Sequence, residues 1–361
     1  MLRSDLPRLA ALRPLWTAGF VLAMLALAPD ASAQRRARPQ VPNAPAQAPR
    51  AYVTNSSANT VSVIDTSSNL VVATIPVGAG PSRVAISPVG SRAFVANTSA
   101  DTLSLIDTAS NVVVATIPVL DGPASVAVAP DGGRVWVGGS NGMITVVDVA
   151  SRAMLTSFSI GAPSPTYSVE GLAIAPDGSK VYALWGSLVV IDATTNLVVN
   201  SIYAGNNPTG MALSANGARI VVGAQFGYGP FGFYGTAAIV DTASESVASV
   251  VNVWGLPMSI AITPDGSRAF VATPYAWSDT GYGAGYLNSP WVTSIDLATS
   301  TLSTGFSVGS PARGLAITPD GARVYVVVPG AGGVKVASTT SNSVVATIPT
   351  SSFPNGVAIA P

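Results

Sequence analysis

Residues 51–92 read AYVTNSSANTVSVIDTSSNLVVATIPVGAGPSRVAISPVGSR. The phrase returns almost unchanged over 93–134 and in looser form five more times. It divides the rest of the chain into units 51–92, 93–134, 135–180, 181–219, 220–268, 269–323 and 324–361. Each unit holds four short β-rich runs separated by turn residues. In the second unit these are Ala93–Asn97, Thr102–Ile106, Val112–Val119 and Ser125–Pro130. Val, Ile and Thr crowd the runs, and such residues fit the pleated surface of a sheet. Four strands in each roughly 40-residue repeat is the pattern of a propeller blade. Pro-Asp-Gly begins at Pro130, Pro176, Pro264 and Pro319, between the last run of one unit and the first of the next, with variants at Pro88-Val89-Gly90 and Ala215-Asn216-Gly217. Glycine enters the positive-φ region of a tight hairpin without steric cost, so the two flanking runs are expected to pair.

The ends of the repeat indicate how the ring closes. The last unit stops at Gly356–Pro361, before its partner strand, and the first begins with that missing partner, Ala51–Asn55. The expected fold is all-β: a seven-bladed β-propeller of four-stranded antiparallel blades, closed by pairing of the C-terminal strand with the N-terminal strands. Alanine takes the second place of the last run in every unit, at Ala85, Ala127, Ala173, Ala212, Ala261, Ala316 and Ala358. Blades converge at the axis, where a methyl fits and a larger side chain overpacks. This run is assigned as innermost strand A. The YVTN-type run becomes B, the VSVID-type run C and the VVATIPV-type run D.

These phrases resemble the YVTN β-propeller repeat family, whose name run stands here as Tyr52-Val53-Thr54-Asn55. The resemblance spans residues 51–361 and weakens in the fifth to seventh units. It implies an exported seven-bladed propeller, similar to surface-layer and secreted propellers of bacteria and archaea, and more distantly to propeller lactonases and haem nitrite reductases. Those enzymes lean on residues such as His, and this chain has no His, so their activities are not carried over.

Composition narrows the chemistry. Charged residues make up 9% of the chain and the formal net charge is zero, so no global field draws nucleic acid or an anionic membrane. The absence of both Cys and His removes Cys/His zinc sites, thiol nucleophiles, His general bases and His-ligated haem. No cofactor or metal is expected.

Residues 1–33 carry Arg3, Arg8 and Arg13, then the apolar run Leu15–Ala28, then Ala31-Ser32-Ala33. This is the pattern of a secretory signal peptide cleaved after Ala33. The apolar run is shorter than the ~20 residues of a membrane span. A periplasmic or secreted monomer with no membrane span after cleavage is expected. Residues 34–50, rich in Pro, Ala and Arg, read as a disordered linker ahead of the propeller at 51–361.

Two recurring charges read as structural. Asp65, Asp107, Asp148, Asp192, Asp241 and Asp296 end strand C on separate blades. They cannot converge on one site, and each suits an Asx turn. Arg92, Arg134, Lys180, Arg219, Arg268 and Arg323 follow the A–B turns and are expected to be solvated turn charges. Arg83, Glu170 and Arg313 differ: they stand alone near the starts of strand A and are expected to face the channel mouth.

Connection lengths single out one face. A–B and C–D connections keep fixed lengths, whereas B–C and D–A connections vary, and those two share one end of an up-and-down blade. Insertions confined to one face mark a binding face. The two largest are 224–236, AQFGYGPFGFYGT, and 274–290, PYAWSDTGYGAGYLNSP. These loops, with the next residue Trp291, gather Phe226, Tyr228, Phe231, Phe233, Tyr234, Tyr275, Trp277, Tyr282, Tyr286 and Trp291 in a chain only 7% aromatic. The loop Gly161–Ser168, with Tyr167, offers a third wall. The expected function is a non-enzymatic scaffold that binds a protein, peptide or glycan through these aromatics, the other reading of them being a self-packed lid. A lactonase-like hydrolase acting at the channel mouth and a structural envelope protein are the alternatives.

Overall fold

The computed structural model describes residues 48–361 except 121, 162–167, 230–231, 254, 280–283 and 304. For 226–229, 232–234, 274–279 and 284–290 it describes the backbone without the side chains. The expected signal peptide and nearly all of the linker lie outside the described residues.

Seven antiparallel sheets form the blades of a ring, each ordered A-B-C-D from its inner strand outward. The inner strands are Pro354–Ile359, Pro81–Ile86, Ser125–Val128, Gly171–Ile174, Asn206–Leu213, Ser259–Ile262 and Gly314–Ile317, in blades one to seven. Each blade takes strand A from the preceding sequence repeat. The first blade therefore joins the two ends of the propeller, with Tyr52 opposite Ala358 and Val53 opposite Val357. In the sixth blade the outer strand is split into Thr301–Leu302 and Phe306–Ser307.

The core lies between blades. One cluster packs Val53 and Ile64 of the first blade against Tyr325, Val336 and Ile348 of the last. Strands B and C are buried on both faces, so successive residues are buried without alternation, the polar Thr54, Asn55 and Ser62 included.

The inner alanines have a second reason beyond crowding at the axis. Ala358, Ala85, Ala127, Ala173, Ala261 and Ala316 stand directly opposite Tyr52, Phe94, Trp136, Tyr182, Phe270 and Tyr325 on strand B. Opposed residues share one face of an antiparallel pair, so a large ring on B leaves room for only a methyl on A.

The YVTN run works residue by residue. Tyr52 Oη approaches Asn111 Oδ1 of the next blade at 3.4 Å. Val53 is core. Thr54 Oγ1 accepts from Gly356 N at 2.8 Å and donates to Ser82 O, on the next inner strand, at 3.2 Å. Asn55 Nδ2 donates to Thr60 Oγ1 and Ser62 Oγ, tying B to C.

The C–D aspartates are Asx turns, as expected. Asp65 Oδ1 accepts from the N–H groups of Ser67 and Ser68, both at 2.9 Å. Hydrogen bonds of this kind hold Asp65, Asp107, Asp148, Asp192, Asp241 and Asp296 below the usual carboxylate range.

The basic residues after the A–B turns correct the sequence reading. Five of them are inter-blade latches rather than free turn charges, whereas Arg134 is exposed, as the sequence reading expects. Arg92 Nη1 donates to Val149 O at 3.5 Å, Arg268 Nη2 to Thr339 O at 2.6 Å and Arg323 Nη1 to Thr66 O at 2.9 Å, each time in the next blade. Arg219 reaches Leu297 O in the same way, and Lys180 pairs with Glu245. Spacing along the chain hides these partners because each lies one repeat onward.

Outer strand D carries a register shift against C in six blades, between Val63/Ile64, Leu105/Ile106, Val146/Val147, Val190/Ile191, Ile239/Val240 and Val336/Ala337. Bulges of this kind twist an exposed edge away from flat pairing. They lie on a rim with exposed Val72, Leu155, Val199 and Val345.

Candidate binding face and channel mouth

The two aromatic insertions are not loops. They continue strands B and C as paired β-arms. An ordinary B strand, such as Arg92–Asn97, is 6 residues long. In the fifth blade Arg219–Gly229 pairs with Gly232–Asp241, setting Phe226 opposite Tyr234 and Tyr228 opposite Phe233 with a register shift between. In the sixth, Arg268–Asp279 pairs with Ala284–Asp296, setting Tyr275 opposite Asn288 and Trp277 opposite Tyr286. Aromatics favour strands. Their period-two spacing at Phe226/Tyr228 and Tyr275/Trp277 was the signal for strands rather than loops. Phe231, Tyr282 and Tyr167 lie outside the described residues. Trp291 sits at the root of the second arm, opposite Thr273 and Ser307, and is 48% exposed.

Both arms rise from adjacent blades at the B–C end, where strand A begins. The channel mouth is at that end. Arg83 pairs with Ala96, next to the end of its B strand. Two residues before the axis alanine, the other six inner strands carry Ser125, Gly171, Gly210, Ser259, Gly314 and Gly356. The position is tight. A Cβ on Gly210 would come within 2.9 Å of Met258 O, on Gly314 within 2.8 Å of Asn355 O, and on Gly356 within 2.6 Å of Ser82 O. Ser125 Oγ donates to Val169 O at 2.6 Å, and Ser259 Oγ accepts from Leu315 N at 3.1 Å, so the two serines stitch neighbouring blades. Arg83 is the one large residue of this ring.

A cavity of about 160 Å³ opens at this level, bordered by Arg83, Glu170, Thr209, Met211, Met258 and Ile260 among others. Burial pushes the Arg83 guanidinium below its ordinary value, the Glu170 charge works against that, and the like charge of Arg313 adds to it. Arg83 thus lies within electrostatic reach of both Glu170 and Arg313. Ser168 Oγ donates to Glu170 Oε1 at 2.7 Å. Among the described residues the ion pair is Lys180–Glu245, and no hydrogen bond joins Arg83 to a described partner. No cluster of three or more Asp or Glu that could hold a metal ion occurs among the described residues. No helix among them is long and apolar enough to cross a membrane.

Solved structures share this architecture. Hydrazine synthase of Kuenenia stuttgartiensis matches with a TM-score of 0.68 at 20% identity, over 80% of this chain and 92% of that one. A protein of unknown function from Desulfotomaculum acetoxidans matches with a TM-score of 0.69 at 18% identity, over 86% and 98%. The β-propeller domain of Cps50 (Swd1) from Myceliophteria thermophila matches with a TM-score of 0.61 at 12% identity, over 76% and 89%. At such identities the likeness establishes the β-propeller fold and nothing about activity. No family model and no curated protein matches the chain.

Proposed function

We propose that this chain is an exported, non-enzymatic propeller of the YVTN repeat type that binds a protein, peptide or glycan through its two aromatic arms. The observation that carries this reading is the pair of elongated hairpins on adjacent blades, at the same end as the open channel mouth. A closed ring needs neither arm for its core, which lies between blades of ordinary length. Rigid aromatics supply large contact area at low entropic cost, which suits recognition. Export rests on residues 1–33, and cleavage after Ala33 is checked by N-terminal sequencing of the mature protein.

The test pairs binding to glycan arrays and displayed peptides with thermal melting. Trp277→Ala and Tyr234→Ala are expected to lower affinity by about 2 kcal/mol or more each, with melting unchanged. Val89→Ala serves as control, because Val89 is 82% exposed in an A–B turn at the other end of the blades. A lower melting temperature with binding retained would make the arms a packed lid. A full-length protein with no ligand in either format would remove the binding reading.

A further inference from the structure

We propose that the channel mouth is a binding site for a small free zwitterion of the amino-acid class, with the carboxylate held by Arg83 and the ammonium by Glu170. This site is separate from the aromatic arms and stands whether or not they bind a partner.

The ring position of Arg83 is built for small residues. Gly or Ser fills it in the six other blades, and at Gly210, Gly314 and Gly356 a Cβ would press on backbone of the neighbouring strand. An arginine there breaks the local rule in one blade. It also places a guanidinium in a partly buried channel without a hydrogen-bonding partner among the described residues. An unpaired charge in such surroundings is costly. Departures of this kind from local consistency mark functional positions. Five N–H donors in a planar fork match a carboxylate bidentately.

Glu170 sets the ligand's other end. It borders the same cavity, and Ser168 occupies one of its oxygens. The second oxygen remains an acceptor for a cation, and the two side chains do not pair with each other. A cation and an anion held apart on one rim complement a ligand that carries both charges on a compact frame. A polyanion would meet repulsion from Glu170. The volume of about 160 Å³ and the Met211, Met258 and Ile260 surfaces admit a small organic molecule with an apolar portion. Arg313, exposed on the seventh blade, makes the approach to the mouth positive and favours the carboxylate end.

The experiment is calorimetric titration of the mature protein with the twenty free amino acids. For the tightest binder, titration is repeated with its analogue lacking the ammonium and its analogue lacking the carboxylate. One or more amino acids are expected to bind, and each analogue to bind at least about ten-fold more weakly. Arg83→Ser should lower affinity by at least about ten-fold while leaving melting unchanged or raised, because serine already fits this place in two other blades. Glu170→Gln should weaken the amino acid yet leave the deaminated analogue unharmed. Absence of binding by every amino acid at millimolar concentration overturns the proposal. So does equal binding of the deaminated analogue, which would make the site a plain anion site. A lower melting temperature in Arg83→Ser, with affinity retained, would make Arg83 structural.

Discussion

The phenolic oxygen of Tyr325, in the last blade, donates to Asn69 Oδ1 of the first blade at 2.8 Å. Tyr325 is fully buried, and Asn69 holds a left-handed backbone at φ 57° in the C–D turn. The bond spans the seam that closes the ring, and Arg323 Nη1 meets Thr66 O in the same turn. Tyr52 and Asn111 repeat the arrangement between the first and second blades. Tyr325→Phe is expected to destabilise by about 0.5–1.5 kcal/mol. Denaturant unfolding of Tyr325→Phe, Asn69→Ala and the double variant checks it: coupling between the two changes is expected, and additivity would mean that the bond contributes nothing.

The closing strand bears more. Deleting residues 353–361 removes Pro354–Ile359 and leaves the Arg50–Asn55 edge unpaired. Exposed edges template aggregation. Soluble yield is expected to collapse, and size-exclusion chromatography reads the outcome. A monomer that melts like the intact protein would contradict this closure.

Overpacking at the axis is the next prediction. Ala173→Leu and Ala261→Leu would drive a branched side chain against Tyr182 and Phe270 opposite. Each is expected to cost about 1–3 kcal/mol, measured by thermal or chemical unfolding.

The inter-blade latches make a further prediction. Arg268 donates to Thr339 O and lies 5.4 Å above the Phe270 ring. Arg268→Ala is expected to cost about 1–2 kcal/mol, the lower end reflecting partial exposure. A turn charge free in solvent would cost almost nothing, so a melting temperature equal to that of the intact protein would remove the latch.

Acid should weaken the fold through its turns. Asp265 accepts from Thr263 and Ser267, which lowers it from 3.8 to about 2. Its folded value is depressed, so its contribution is complete above 3.8 and fades as the pH falls towards about 2. Asp265→Asn should lose less stability than the parent over that interval, as read by denaturant midpoints. Parallel loss in both proteins would mean that the turn carboxylate is not linked to folding.

The sequence by itself determined the blade count, the strand order and the closure, because a repeat with hairpin glycines at fixed spacing states each pairing locally. Ala358 and Tyr52 show this: the phrase cut at residue 361 resumes at residue 51, and the two residues pair. It also determined which end of the blades varies. Tertiary structure decided what lies one repeat away. The partners of Arg92, Arg268 and Arg323 are backbone carbonyls of the neighbouring blade, which no side-chain pattern encodes. The arms depended on whether Gly-rich aromatic segments pair as strands, and that follows from their continuity with strands B and C already in register. Arg83 was visible as an isolated charge. Its setting came only from the ring of Gly and Ser around it, where backbones approach so closely that the other six blades carry no side chain larger than serine.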